Sequence, residues 1–141
     1  MSVCRNDTDM CDPTAAKRPE RHYVGGHEAT LAHYLDIEVL DEKGAGGAHH
    51  HYRISTREDR DDQYVCEIKF QKGPILENNV NGVTVESLLA ICRHRLECFQ
   101  AGDFGCQENA DALAAIITAL NRLHDRTRDR MDRQVEGLGV K

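Results

Sequence analysis

The last third of the chain constrains the fold most. Val85, Leu89, Cys92, Leu96 and Phe99 recur 4, 3, 4 and 3 residues apart. After Gly102-Asp103-Phe104-Gly105, Ala110, Leu113, Ile117, Leu120 and His124 continue at steps of 3 and 4. That period lays an apolar stripe along one side of an α-helix. Thr84 suits the N-cap, because its hydroxyl can accept from an orphan N–H, and Glu86 falls in the positive first turn. The connector is short enough to force an antiparallel return. The pattern therefore predicts a two-helix hairpin, its first helix ending near Ala101 and its second running from about Gln107 to Arg133. A hairpin alone buries one seam. Leu88, Ile91, Ile116 and Leu123 are left for its outer faces and need a sheet or a partner chain to cover them, so self-association is expected.

Upstream the period changes from helical to alternating. Leu35, Ile37 and Val39 alternate with Asp36 and Glu38 between Tyr34 and Asp41; Tyr52 and Ile54 alternate between His51 and Arg57; and Tyr64, Cys66, Ile68 and Phe70 alternate with Val65, Glu67, Lys69 and Gln71. Three half-buried strands in succession most simply form an antiparallel meander, with Arg21 to Val24 as a short fourth. Gly73-Pro74 stops the last strand, and Asn78-Asn79-Val80-Asn81-Gly82 is a turn-rich connector. The expected fold class is α+β: a small antiparallel β-sheet in the N-terminal half, then a long antiparallel two-helix hairpin. Residues 1–19, polar and holding two prolines, are expected to be a loose arm. Residues 20–141 form one domain, with about 20–79 as the sheet part, about 80–136 as the hairpin, and a frayed end marked by Gly137 and Gly139.

Size and charge narrow the function. A chain of 141 residues makes one compact domain. Eighteen basic against 24 acidic residues leave a net charge of -6, which argues against a general DNA or RNA coat. It does not exclude a local basic pocket for a small anion. No apolar run is long enough for a membrane-spanning helix, and the first residues lack the apolar core of an export signal. A cytoplasmic protein with reduced thiols is expected. The six cysteines form no CxxC pair, so neither a metal site nor a cofactor is expected.

Among chemistry-bearing segments, Arg122 to Arg133 stands out. Arg122, Arg126, Arg130 and Arg133 fall within an arc of about 80° that faces away from Leu113 and Leu120. Asp125, Asp129 and Asp132 lie beside them. The arrangement is either a solvated face laced with ion pairs or a guanidinium clamp for phosphate, whose oxygens match the planar fork of arginine. Phe99 and Phe104 flank the hairpin tip and could stack on a nucleobase or simply pack the helix ends. Asn109, in the first turn of the second helix, could read a base edge or a ribose hydroxyl, or be an ordinary polar residue there. His49-His50-His51 ends a Gly-rich stretch. Neighbouring strand residues point to opposite faces, so the three cannot chelate one metal well. Gly44-Ala45-Gly46-Gly47 is not a P-loop, and no GxSxG, HExxH or HRD signature occurs. No catalytic residue is assigned.

A set of short motifs in fixed order adds a resemblance. They are Phe70-Gln71-Lys72-Gly73-Pro74-Ile75, Asn81-Gly82-Val83-Thr84, Leu96-Glu97-Cys98-Phe99-Gln100, Glu108-Asn109-Ala110 and Arg126-Thr127-Arg128-Asp129-Arg130. With the strand-rich half before it, the chain resembles the phage Thoeris anti-defense (Tad) type 1 sponges. Their helical hairpin is shared with the phage anti-CBASS cyclic-dinucleotide sponge. The resemblance implies sequestration without catalysis. Such proteins hold a cyclic ADP-ribose isomer, glycocyclic ADP-ribose made by TIR enzymes, and so block Thoeris immunity in the cytoplasm of the infected host. It implies Phe99 as the base-stacking ring, Asn109 as a polar contact, and Arg126 and Arg130 as phosphate-binding arginines. It also implies cyclic oligonucleotides as further ligands in a hexamer, at a site the sequence does not place. Gln134 stands where the resemblance leads to Gly, and His94 where it leads to Asp, which leaves the signal molecule open. The competing functions are an enzyme that cleaves the same signal and a hairpin adaptor for a host protein.

Helix geometry bears on that site. Asn109 and Arg126 are 17 residues apart on one helix, about 25 Å at 1.5 Å per residue. One small ligand does not span that distance. A homodimer or hexamer with hairpins packed antiparallel would bring the tip of one copy to the arginine end of another, giving intersubunit ligand sites.

Overall fold

The computed structural model describes residues 21–27, 34–56, 64–133 and 139. The expected arm 1–19 lies outside the described residues. The architecture is α+β. Strands β1 (His22–Val24), β2 (Leu35–Val39), β3 (His51–Thr56) and β4 (Tyr64–Lys69) form one sheet in the order β1-β2-β3-β4, with every neighbouring pair antiparallel. Register puts Val24, Ile37 and Ile54 in one row and Val39 beside Tyr52, so the expected alternation becomes one apolar face. Tyr52 and Phe70 meet edge to face at 5.6 Å. Three helices follow: α1 (Ile75–Asn78), α2 (Val85–Ala101) and α3 (Gln107–Asp132).

The helix ends follow from side-chain chemistry. Thr84 caps α2 through a reciprocal box: its hydroxyl accepts from the Ser87 N–H at 3.2 Å, and Ser87 Oγ accepts from the Thr84 N–H at 3.1 Å. Gly102 ends the helix, its N–H donating to the Phe99 carbonyl. Cys106 caps α3, its sulfur accepting from the Asn109 N–H at 3.4 Å. The single turn α1 lies between the Gly73-Pro74 stop and the expected turn-rich connector, which it overlaps only at Asn78. Pro74 starts it with φ -64, a value its ring imposes, and one turn is too short to show a period.

The buried side of α3 is the expected stripe, widened: Ala110, Leu113, Ile117 and Leu120 are half-buried or buried, and Ile116, Leu123, Thr127 and Arg130 join them, whereas His124, expected on the inner face, is exposed. On α2, Leu88 is half-buried while Val85 and Cys92 are exposed. The expected stripe holds as far as Leu120; beyond it the buried side turns to Leu123 and Thr127 and away from His124, whose imidazole burial would desolvate.

Sheet and hairpin meet at one tight joint. The Gln71 N–H donates to the Val83 carbonyl and the Val83 N–H to the Lys69 carbonyl, both at 2.8 Å, making a parallel bridge between Phe70 and Val83. Asn81 closes the loop behind it: its side chain accepts from the Lys72 N–H at 2.7 Å and donates to the Lys72 carbonyl at 2.8 Å. Gly82 permits the approach, since a Cβ there would overlap the Phe70 and Lys69 carbonyl groups. Around this joint the apolar packing is thin. Among the described residues the buried apolar side chains are Val39, 8% exposed, and Leu120, 5% exposed, whereas Ile91 is 65% exposed and Phe104 76%.

Gly82→Ala is expected to force the two chain segments apart and to cost about 1–3 kcal/mol, as overpacking does. Thermal denaturation checks it; a melting temperature equal to wild type would show that the joint carries no strain there.

Candidate functional site

The joint leaves an open cleft between the sheet edge and the foot of the hairpin. One part, about 380 Å³, is lined by His49, His50, Tyr52, Phe70, Val83 and Arg126 among others. A neighbouring part, about 660 Å³, is lined by Gly46, Pro74, Ile75, Thr127 and Arg130 among others. His50, Gln71, Thr84, Glu86 and Arg126 line both. Together they have the volume of a small-molecule site. Gly139 lies at the rim, where its N–H donates to Glu77 Oε1 at 3.2 Å. The chain end expected to fray therefore returns to the cleft at that residue, while Gly137 lies outside the described residues.

Two cations enter the cleft from the last turns of α3. Arg126 Nη2 lies 3.4 Å from Glu86 Oε1, joining the end of α3 to the first turn of α2. The Arg126 side chain is 64% exposed, so the pair contributes little to stability and leaves the guanidinium open to a better anion. Arg130 stands one turn further on, half-buried. The neighbouring arginines behave differently. Arg122 and Arg128 each approach Asp125 at 3.7 Å, and Arg133 approaches Asp129 at 3.1 Å. The expected arc thus divides: Arg122 and Arg133 belong to a laced surface, and Arg126 and Arg130 line the cleft.

The sheet side of the cleft is organised by Asp41. Its carboxylate accepts from the His50 N–H at 2.9 Å and the His51 N–H at 3.1 Å, while the Asp41 carbonyl lies 2.9 Å from His49 Nδ1. Burial works to raise the Asp41 carboxyl, but the two backbone N–H groups, with the His49 and His50 rings, outweigh it and hold it below the usual carboxylate value. The three histidine rings diverge. His51 pairs with Glu67 at 3.0 Å, His49 turns to Asp41, and His50 is buried against the cleft. Among the described residues, no three histidine, cysteine, aspartate or glutamate side chains are grouped to hold a metal ion. None of the described helices is long and apolar enough to cross a membrane.

Of the four residues singled out in the sequence, the structure brings Arg126 and Arg130 together and sets Phe99 and Asn109 at the opposite end of the hairpin. Phe99 is half-buried in the last turn of α2, with the Arg95 guanidinium 5.0 Å from its ring centroid. Asn109 is half-buried in the first turn of α3. His94 lies on the exposed side of α2, its Nε2 3.9 Å from Cys98 Sγ; Gln134 lies outside the described residues.

Comparison with known proteins bears on this arrangement. The family model described as "Acb2/Tad1, hairpin domain" matches residues 62–128. Over this stretch the chain is similar to the Acb2/Tad1 hairpin family. A protein named "Thoeris anti-defense 1" from Bacillus phage SBSphiJ7 is 44% identical over 77 residues, 55% of this chain and 54% of the relative. The match thus spans about half the length of each protein. The hairpin match begins just before β4 and includes the joint, α2 and α3 as far as Arg128, so that Arg126 lies inside it and Arg130 just beyond.

Glu86, Gln71 and His50 were not singled out as site residues in the sequence. Glu86 is visible there only as a charge in the first helical turn, and its partner Arg126 is 40 residues away. His50 is hidden in a three-residue histidine run.

Because the folded Asp41 carboxyl lies below its unfolded value, its contribution to stability is present above the unfolded value and is lost as pH falls through the folded one. Asp41→Asn is expected to lower the neutral-pH melting temperature by roughly 5 °C and to flatten the acid limb of the stability profile. Melting curves from pH 7 to pH 3 check it; parallel acid limbs for both proteins would contradict it.

Proposed function

We propose that this chain binds and sequesters a cyclic nucleotide immune signal without cleaving it, and thereby blocks Thoeris immunity in the infected bacterium. The ligand is a cyclic ADP-ribose isomer, glycocyclic ADP-ribose. The carrying observation is the pair Arg126 and Arg130, set one turn apart on the wall of a cleft of ligand size. A relative 44% identical over 77 residues is named for anti-defence against Thoeris, and that name supports the choice of signal. Two forked guanidiniums suit a pyrophosphate, whose charge-assisted bonds are stronger than the 3.4 Å contact that Arg126 makes with Glu86.

In this reading Phe99 stacks on the base and Asn109 makes a polar contact, both from a second copy of the chain. The length of α3 separates them from the arginines of their own chain by about 25 Å, and the exposed Ile91 and thin apolar packing favour a covering copy. Dimer and hexamer both satisfy this geometry. Cyclic oligonucleotides at a separate site of a hexamer are a further proposed ligand class, with no residues of this chain assigned to them. Site and assembly function in the cytoplasm of the host.

The double variant Arg126→Ala, Arg130→Ala is expected to lose binding of glycocyclic ADP-ribose by at least about 100-fold, as removal of two charged hydrogen-bond partners implies, with helix content unchanged. Calorimetry and circular dichroism read the two. Wild-type protein incubated with the signal and then heat-denatured should release it intact; disappearance of the signal would replace sequestration with cleavage.

A further inference from the structure

The buried ring of His50 has no role in the reading above. Its backbone is held on both sides. The N–H donates to Asp41 Oδ2 at 2.9 Å, and the carbonyl accepts from the Phe70 N–H at 2.7 Å. These bonds place the ring where β3 begins, against the joint. The residue is only 9% exposed. Nδ1 is buried and has no hydrogen-bond partner among the described residues, although Asp41 Oδ2 lies 4.0 Å away. No described residue makes a hydrogen bond with Nε2 either. A buried polar group normally finds a partner, and one without it requires an explanation. The ring lines both parts of the cleft that Arg126 enters.

We propose that His50 is a third anion-binding side chain of this cleft, so that the sheet as well as the hairpin holds the pyrophosphate of the ligand. The identity of that ligand rests on the sequestration reading; the anion site rests on the geometry of the cleft itself. Nε2 carries the N–H that donates to a phosphate oxygen. Asp41 stands behind the ring, its Oδ2 4.0 Å from the buried Nδ1, which leaves Nε2 as the nitrogen for a ligand. The charged surroundings agree. His49 is beside the ring and turned to Asp41, and Lys72 shares the space over Gly44 with it. Arg126 faces the cleft with Glu86, the carboxylate that an entering anion displaces. Arg130 completes the wall.

The test uses the full chain, labelled with ¹⁵N, and inorganic pyrophosphate as the probe. The His50 ring signals are assigned by their loss in His50→Gln. In wild type they are expected to shift together with the Arg126 side-chain signal, along one binding curve. His50→Leu should weaken pyrophosphate by 5- to 10-fold, and His50→Gln, which keeps an N–H donor near Nε2, should recover part of that loss. Static His50 signals while Arg126 shifts would overturn the proposal, as would wild-type affinity in His50→Leu or no response of Arg126 and Arg130 to pyrophosphate. The wild-type shifts decide the matter even if the leucine variant fails to fold. If all three side chains respond to pyrophosphate while glycocyclic ADP-ribose does not bind, the anion site stands and the sequestration reading fails.

Discussion

The close approach of Gly82 to the Phe70 carbonyl underlies the rest of the structure. Two backbone hydrogen bonds across it tie the residue before the Thr84 cap to the end of β4. That tie fixes where α2 starts, and therefore where Glu86 stands. Glu86 in turn meets Arg126, 40 residues later in the chain, at the foot of the hairpin. On the sheet side, the Phe70 N–H holds the His50 carbonyl at 2.7 Å. One joint thus sets the positions of the acidic, basic and imidazole groups around a single cleft. A side chain at position 82 would move all of them, because backbone carbonyls cannot yield as a flexible side chain can.

Much of the fold was legible because its periods are clean. Alternation over Val65 to Phe70 survives in the exposure of those residues, and the capping chemistry of Thr84 locates the start of α2 to the residue. On α3 the turn of the buried side from His124 to Leu123 and Thr127 was not legible, since that decision falls to packing against α2. Neither was α1, whose single turn has no period. The site was legible only in part. Arginines at helical spacing look alike in sequence; what separates Arg126 and Arg130 from Arg122 and Arg133 is the cleft beside them, which a pairing across 40 residues helps to build. The roles given to Phe99 and Asn109 come from the family resemblance and not from any period.

An acidic chain can still present an anion site because range matters. At physiological salt, surface charges act over about 8 Å. Carboxylates elsewhere on the molecule are screened, while guanidiniums at contact distance are not. Glu86 is the exception, being inside the cleft and already paired with Arg126. Its carboxylate offsets part of the Arg126 charge and gives an entering anion something to displace.

In the proposed reading one copy is insufficient. The hairpin seam is continuous from Asn109 to Arg130, so the tip and the arginine end are rigidly held apart. The proposed ligand site therefore consists of two half-sites on one rod, completed when a second rod runs the other way. Mixing two inactive chains tests this most directly: Phe99→Ala with Asn109→Ala, and Arg126→Ala with Arg130→Ala, exchanged into one assembly and titrated with glycocyclic ADP-ribose. For a dimer the account predicts recovery of about a quarter of the wild-type sites, because mixed pairs hold one intact composite site. Exchanged assemblies that bind nothing would contradict it.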